Sequence, residues 1–203
     1  MRAAVHSLCI LFLCAASVCA APVAQRTEPR KTTRTAVCIG LGEYQRQNKL
    51  RWAETDAVAM ARALSKNGYK VICLTRRDAT LKRVATALAQ EPALVYFAGH
   101  YLDSKLQLKD GGLAITDVAQ KTRFMLLDCC HAGEDLGDEG GTIAFAAGSG
   151  YAFEAGSNGL FTKHLLDWLR HRPGARNCGM VDYVCQRVAR ETGDWQRPVV
   201  GRL

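Results

Sequence analysis

The sequence contains no internal repeat and no low-complexity tract, so a solenoid or a tail-like polymer is excluded. It has no excess of charge or shortage of apolar residues. Apolar content of 48% and charged content of 23% match ordinary globular domains, which excludes disorder and collagen-like classes for the bulk of the chain. At 203 residues it lacks the length for two comfortable domains and suffices for one with a full core. The formal charge is +8, yet the basic residues are scattered and no dense patch is interleaved with aromatics. Nucleic-acid binding is therefore not expected, and the charge reads as a solubility feature.

The first twenty residues differ from the rest. Arg2 opens them, and Leu8 to Ala16 is an apolar run of h-region length, too short to span a bilayer. Val18-Cys19-Ala20 then supplies small residues for cleavage after Ala20. The expectation is a signal peptide over 1–20 and an exported protein, periplasmic or secreted. An uncleaved anchor and an acylated cysteine are the alternatives. Residues 21–35 carry two prolines, several threonines and the bases Arg26, Arg30, Lys31 and Arg34, and read as a flexible linker. Residues 36–203 form the expected domain.

Of nine cysteines, Cys9, Cys14 and Cys19 leave with a cleaved leader. Cys38 and Cys73 sit in apolar runs and are expected to behave as small buried hydrophobes. Cys178 and Cys185 are candidates for a disulfide in an oxidising compartment.

Apolar runs at 36–41, 69–74, 93–97 and 123–128 read as buried strands, with a fifth at 142–147. Helical periodicity covers 53–66, 79–90, 159–171 and 179–192. Asp110-Gly111-Gly112 signals a hairpin. Strands alternating with helices predict an α/β fold, a mostly parallel sheet with helices on both faces. Ligands in such sheets bind beyond the carboxyl ends of the strands.

Two of those ends carry chemistry. The third strand runs into Ala98-Gly99-His100 and the fourth into Asp128-Cys129-Cys130-His131-Ala132-Gly133. If the strands are neighbours, an imidazole and a thiol emerge side by side. The imidazole would take the thiol proton and later protonate a leaving group. The alternation of a strand points Cys129 away from the site. A Cys-Cys-His metal site is the rival reading, but its ligand spacing is poor for zinc, and no metal is assigned. A vicinal-thiol redox role for Cys129 and Cys130 is another.

These residues resemble the caspase-like cysteine peptidases, nearest the metacaspases and bacterial caspase-family proteins. The strongest parts are Tyr96-Phe97-Ala98-Gly99-His100 and Asp128-Cys129-Cys130-His131-Ala132-Gly133. Leu50-Arg51-Trp52-Ala53-Glu54-Thr55-Asp56-Ala57, Gly159-Leu160-Phe161-Thr162 and Gln196-Arg197-Pro198 add to them. The resemblance implies a caspase-like three-layer sandwich and an endopeptidase with His100 as catalytic base and Cys130 as nucleophile. The N–H groups of Cys130 and Tyr101 would hold the oxyanion. His131 becomes a structural neighbour rather than a second base.

In family members that cut after basic residues, two aspartates line the specificity pocket, and those positions fall on Asp56 and Asp128. The implied partners are proteins or peptides with basic residues; the oligomeric state is left open. No cofactor is required, although some relatives take calcium. The acidic loop 134–139 offers oxygen ligands for it, the alternative being a solvated loop. The linker bases would then be self-cleavage points. This sequence departs from the family's pattern at Ala98, often serine, and at Tyr101, nearly always glycine. Tyr101 would turn the oxyanion N–H aside or narrow the cleft, and the alternative is a catalytically inactive caspase-like binding module.

Overall fold

The computed structural model describes residues 34–171 and 178–203. The expected leader and the linker up to residue 33 lie outside them. β1 (Thr35–Gly40) is apolar and buried from its second residue onward. α1 (Ala53–Lys66) keeps the bounds its periodicity predicts, burying Ala57, Met60 and Leu64 on one stripe. A Cβ on Gly40 would stand 2.4 Å from the Ala53 carbonyl oxygen and 2.6 Å from the Ala57 Cβ. Only glycine lets the helix settle that closely on the strand.

β2 (Lys70–Thr75) is an edge strand. α2 (Leu81–Leu88) is capped by the Thr80 hydroxyl, which accepts from the Arg83 N–H; it is shorter than the 79–90 periodicity. β3 (Leu94–Ala98) is buried at every position. A small antiparallel sheet follows, made of β4 (Tyr101–Leu102), β5 (Lys105–Leu108) and β6 (Gly111–Ala114). Its second turn is Lys109-Asp110, so the expected Asp110-Gly111-Gly112 hairpin is present with its turn one residue earlier. Its first, Asp103-Ser104, holds φ of 50° and 56° without glycine, which is why no hairpin was expected there.

Beyond it lie α3 (Ile115–Ala119), β7 (Phe124–Asp128) and β8 (Ile143–Ala146). A two-strand ribbon, β9 (Glu154–Ala155) and β10 (Asn158–Gly159), leads into α4 (Leu160–His171) and α5 (Cys178–Thr192). β11 (Val199–Arg202) closes the sheet. Four residues with a central glycine give no periodicity, so this strand was not anticipated.

The main sheet has the order β11-β8-β7-β3-β1-β2 and is parallel except for β11. One face buries Met60, Phe145, Phe161 and Val184 under α1, α4 and α5. The other buries Val84, Val118 and Leu127 with α2, α3 and the small sheet. This is the expected three-layer α/β sandwich. Because β1 lies between β2 and β3, the chain leaves it in opposite directions, and a crevice opens where β1 and β3 end.

Two cysteine expectations change. Cys38 is buried, but Cys73 is exposed, because β2 has a neighbour on only one side. Cys178 and Cys185 both belong to α5, where a helical rise over seven residues separates their Cα atoms by about 10 Å, too far for a disulfide. The Cys178 side chain itself is outside the described set; Cys185 is a free thiol facing the Pro198 carbonyl at 3.5 Å. Among the described residues, no helix is long and apolar enough to cross a membrane.

Candidate active site

A cleft of about 50 Å³ opens at the carboxyl ends of β1, β3 and β7. Asp56, Ala98, His100, Asp128 and Cys130 border it, with Ala152, Phe153, Glu154 and Gly159 from the segment after β8. The register brings the two strand ends together, since β3 and β7 are adjacent and Ala98 pairs with Asp128. His100 and Cys130 each follow that pair by two residues.

His100 is held from the segment after β1. Its Nε2 lies 2.6 Å from the Asn48 carbonyl oxygen, its backbone N–H donates to the Tyr44 hydroxyl at 2.9 Å, and the Tyr44 and His100 rings pack at a tilt with centroids 4.7 Å apart. A carbonyl only accepts, so Nε2 carries the hydrogen, and in the neutral ring Nδ1 is left as the basic nitrogen. The Cys130 sulfur accepts the Ala152 N–H at 3.3 Å. Phe153, next along, donates to the buried Gln196 Oε1 at 2.9 Å, while Gln196 Nε2 donates to the Ala147 carbonyl at 3.1 Å. Gln196 therefore braces one wall of the cleft. Sequence reasoning missed both Tyr44 and Asn48: the Asn48 contact is through a backbone carbonyl, which carries no residue-type signal, and Tyr44 lies outside the strand ends where chemistry was sought.

Asp56 and Asp128 are both buried. Asp56 accepts from the Asn158 amide at 2.6 Å and the Gly159 N–H at 2.9 Å. Asp128 accepts from the Thr162 hydroxyl at 2.5 Å and its N–H at 3.3 Å. The single Thr162 hydroxyl hydrogen is thereby committed, so Tyr96, 2.6 Å away, must donate to Thr162. Burial, and then the charge of Asp128, pushes the Asp56 carboxyl up to about 7. Burial pushes Asp128 up to about 6, against the pull of its Thr162 bonds. Glu154, whose carboxylate accepts the Trp52 N–H at 3.2 Å, is a third acid on the same cleft that the sequence did not single out.

Gly159 touches both carboxylates. A Cβ there would lie 2.6 Å from Asp128 Oδ2 and 3.3 Å from Asp56 Oδ2. Gly159→Ala is expected to displace them and to lower stability by about 1–3 kcal/mol, read as a lower urea midpoint at unchanged slope.

Tyr101 does not border the cleft. Its ring packs against the opposite core, and its hydroxyl donates to Asp135 in the turn after Cys130; Ser104 donates to the same carboxylate at 3.1 Å. Burial and that carboxylate raise the phenol above its usual range. Its φ is not positive, so the backbone there makes no demand for glycine. The His100 carbonyl accepts from Gln107 N–H, which makes Tyr101 and Leu106 a non-hydrogen-bonded pair. The Tyr101 N–H therefore points away from β5.

Cys129 is buried in the core beside Leu127. His131 adopts φ 63° and bonds its Nδ1 to Glu134 at 2.7 Å. Glu134 and Asp135 of the acidic loop are thus engaged with His131, Tyr101 and Ser104. Among the described residues no group of three or more His, Cys, Asp or Glu is placed to hold a metal.

Fold and cleft together define a caspase-type α/β protein. The caspase domain family, peptidase C14, matches residues 33–202, and the chain belongs to that family. Its fold is shared by protein GSU0716 of Geobacter sulfurreducens, at 18% identity and TM-score 0.65, with 83% of this chain and 92% of that one covered. Caspase-1 of Spodoptera frugiperda is similar at 15% identity and TM-score 0.64, with 83% and 85% covered. No curated protein sequence matches.

Proposed function

We propose that the protein is a cysteine endopeptidase that hydrolyses peptide bonds after Arg or Lys. The observation that carries this reading is one cleft bordered by Cys130, His100, Asp56 and Asp128. His100 Nδ1 takes the Cys130 proton, and the sulfur attacks the carbonyl carbon of the scissile bond. In this reading the Cys130 N–H and the Tyr101 N–H, which is directed away from β5, hold the oxygen that becomes charged. The C–N bond breaks as the imidazolium returns its proton to the leaving amine, leaving a thioester. Water, deprotonated by His100, then releases the new carboxylate and restores the thiol.

The carboxylates of Asp56 and Asp128 select a basic side chain, and two oxygens per carboxylate favour the planar fork of Arg over the ammonium of Lys. Glu154 adds negative potential at the rim. Phe153 and Glu154 also border an adjoining hollow of about 410 Å³ with Leu160 and Trp195, whose indole is 82% exposed. The rest of a peptide would lie there. The proposal places the protein outside the cytoplasm, in the periplasm or the medium, as its leader suggests.

The test is the purified chain against matched peptides with Arg, Lys, Gln or Asp before the scissile bond, with and without calcium. Arg is expected to be cut fastest, then Lys, with Gln and Asp near background. A second reading, an inactive binding module, draws on Ala98, which borders the cleft with a methyl group where the family often has a serine hydroxyl. No cleavage of any peptide, together with no covalent capture of Cys130 by an electrophilic arginine peptide, establishes that reading and overturns the first.

A further inference from the structure

β1 and β2 pair in register, with Cys38 opposite Cys73. Both face α1. Cys38 packs in the cluster that holds Ala57 and Met60, and the Cys73 sulfur lies 3.9 Å from the Ala57 carbonyl oxygen. The two thiols therefore stand side by side on one face of adjacent strands. Neighbouring strands lie about 4.8 Å apart, inside the Cα separation that a disulfide bridges. Their accessibility differs sharply: Cys38 is 0% exposed, whereas Cys73 opens to solvent at the free edge of the sheet.

We propose that Cys38 and Cys73 form a reversible disulfide site, oxidised through Cys73 by small disulfide donors of the glutathione type. The thiolate of Cys73 attacks one sulfur of the donor, and the donor's S–S bond breaks to release one thiol. The thiolate of Cys38 then attacks the Cys73 sulfur of the mixed disulfide and expels the second thiol. Two protein thiols become one disulfide, and one donor disulfide becomes two thiols, so electrons balance.

Burial raises both thiols, and their mutual proximity adds to the rise at Cys38. Thiolate is scarce near neutral pH, so the exchange is slow there and quickens in alkaline solution. The bond suits a durable staple more than a rapid redox couple. It fastens the edge strand β2 to β1, the strand that runs into the segment holding His100.

The experiment uses the full chain with Cys130→Ala, so that no cleft thiol competes and no peptidase activity is needed. The folded protein is incubated at pH 8 with oxidised glutathione, free thiols are alkylated, and the digest is mapped by mass spectrometry. A peptide pair joined through Cys38 and Cys73, released by dithiothreitol, is expected, with a thermal midpoint raised by several degrees. Adding Cys73→Ser abolishes both. Adding Cys38→Ala leaves Cys73 as a lasting glutathione adduct; if that variant does not fold, Cys73→Ser at the exposed edge still supplies the control. A stable glutathione adduct on Cys73 with Cys38 present, or two cysteines that both remain free, overturns the proposal.

Discussion

Cys130→Ala is expected to lower kcat/KM for an arginine peptide by about 10³-fold or more, without a measurable change in thermal midpoint. The size follows from the chemistry. Without the sulfur no thioester forms, and what remains is whatever the cleft does by holding the bond and its developing charge. Stability should stand because Cys130 faces the cleft and accepts one long N–H bond from Ala152 at 3.3 Å. His100→Ala should produce a loss of similar order, since the thiol then lacks its proton acceptor. Wild-type turnover by either variant would remove Cys130 or His100 from the mechanism.

Asp128→Asn and Asp56→Asn are expected each to cost an arginine peptide about 10²-fold in kcat/KM, while a glutamine peptide changes little. Breaking a buried, hydrogen-bonded charge pair costs roughly 2–5 kcal/mol. The same carboxylates set a pH dependence. A guanidinium binds the ionised pair, so the inhibition constant of a small guanidine should tighten as pH rises through about 6 to 7, and level off above.

Stability should move the other way. Both folded-state values lie above the ordinary carboxyl range near 4, so the native state holds more protons than the unfolded one between pH 4 and 7. Stability therefore declines as pH rises through that window, and the decline is complete above it. At pH 8 Asp128→Asn, whose amide oxygen can keep both Thr162 bonds, should melt several degrees higher than the parent while cutting arginine peptides worse. Asp56→Asn gains less, because both Asp56 oxygens accept and an amide nitrogen would face a donor. A variant that loses both stability and activity at pH 8 would mean that the aspartates serve structure rather than specificity.

Much of this was legible in the residues, and the reason differs by element. β1, β3 and β7 are buried on both faces, so hydrophobicity alone marks them. α1 keeps its expected ends because burial on one stripe writes a period of 3.6 into Ala57, Met60 and Leu64. β11 escaped because a partly exposed strand of four residues has too little pattern to register. Cys73 was misjudged because a strand's apolar composition does not tell an edge from a centre; that is a property of the strand order.

At the cleft, His100, Cys130, Asp56 and Asp128 were visible as chemistry-bearing side chains at strand ends. The Asn48 carbonyl was not, because every residue has one, and only the fold says which is aimed at an imidazole. The same holds for Tyr101. Its identity suggested a ring over the cleft, whereas the register of β4 and β5 turns it to Asp135.

Gln196 gives the braced wall a consequence for synthesis. The cleft draws on segments from Leu50 to Gly159, and its wall at Phe153 is pinned by a side chain that comes later in the chain than all of them, Gln196. A chain emerging from the ribosome carries Cys130 and His100 long before it carries that pin. Cys130 is thus made before its wall can be braced, and the wall takes its final form only once residue 196 has been added.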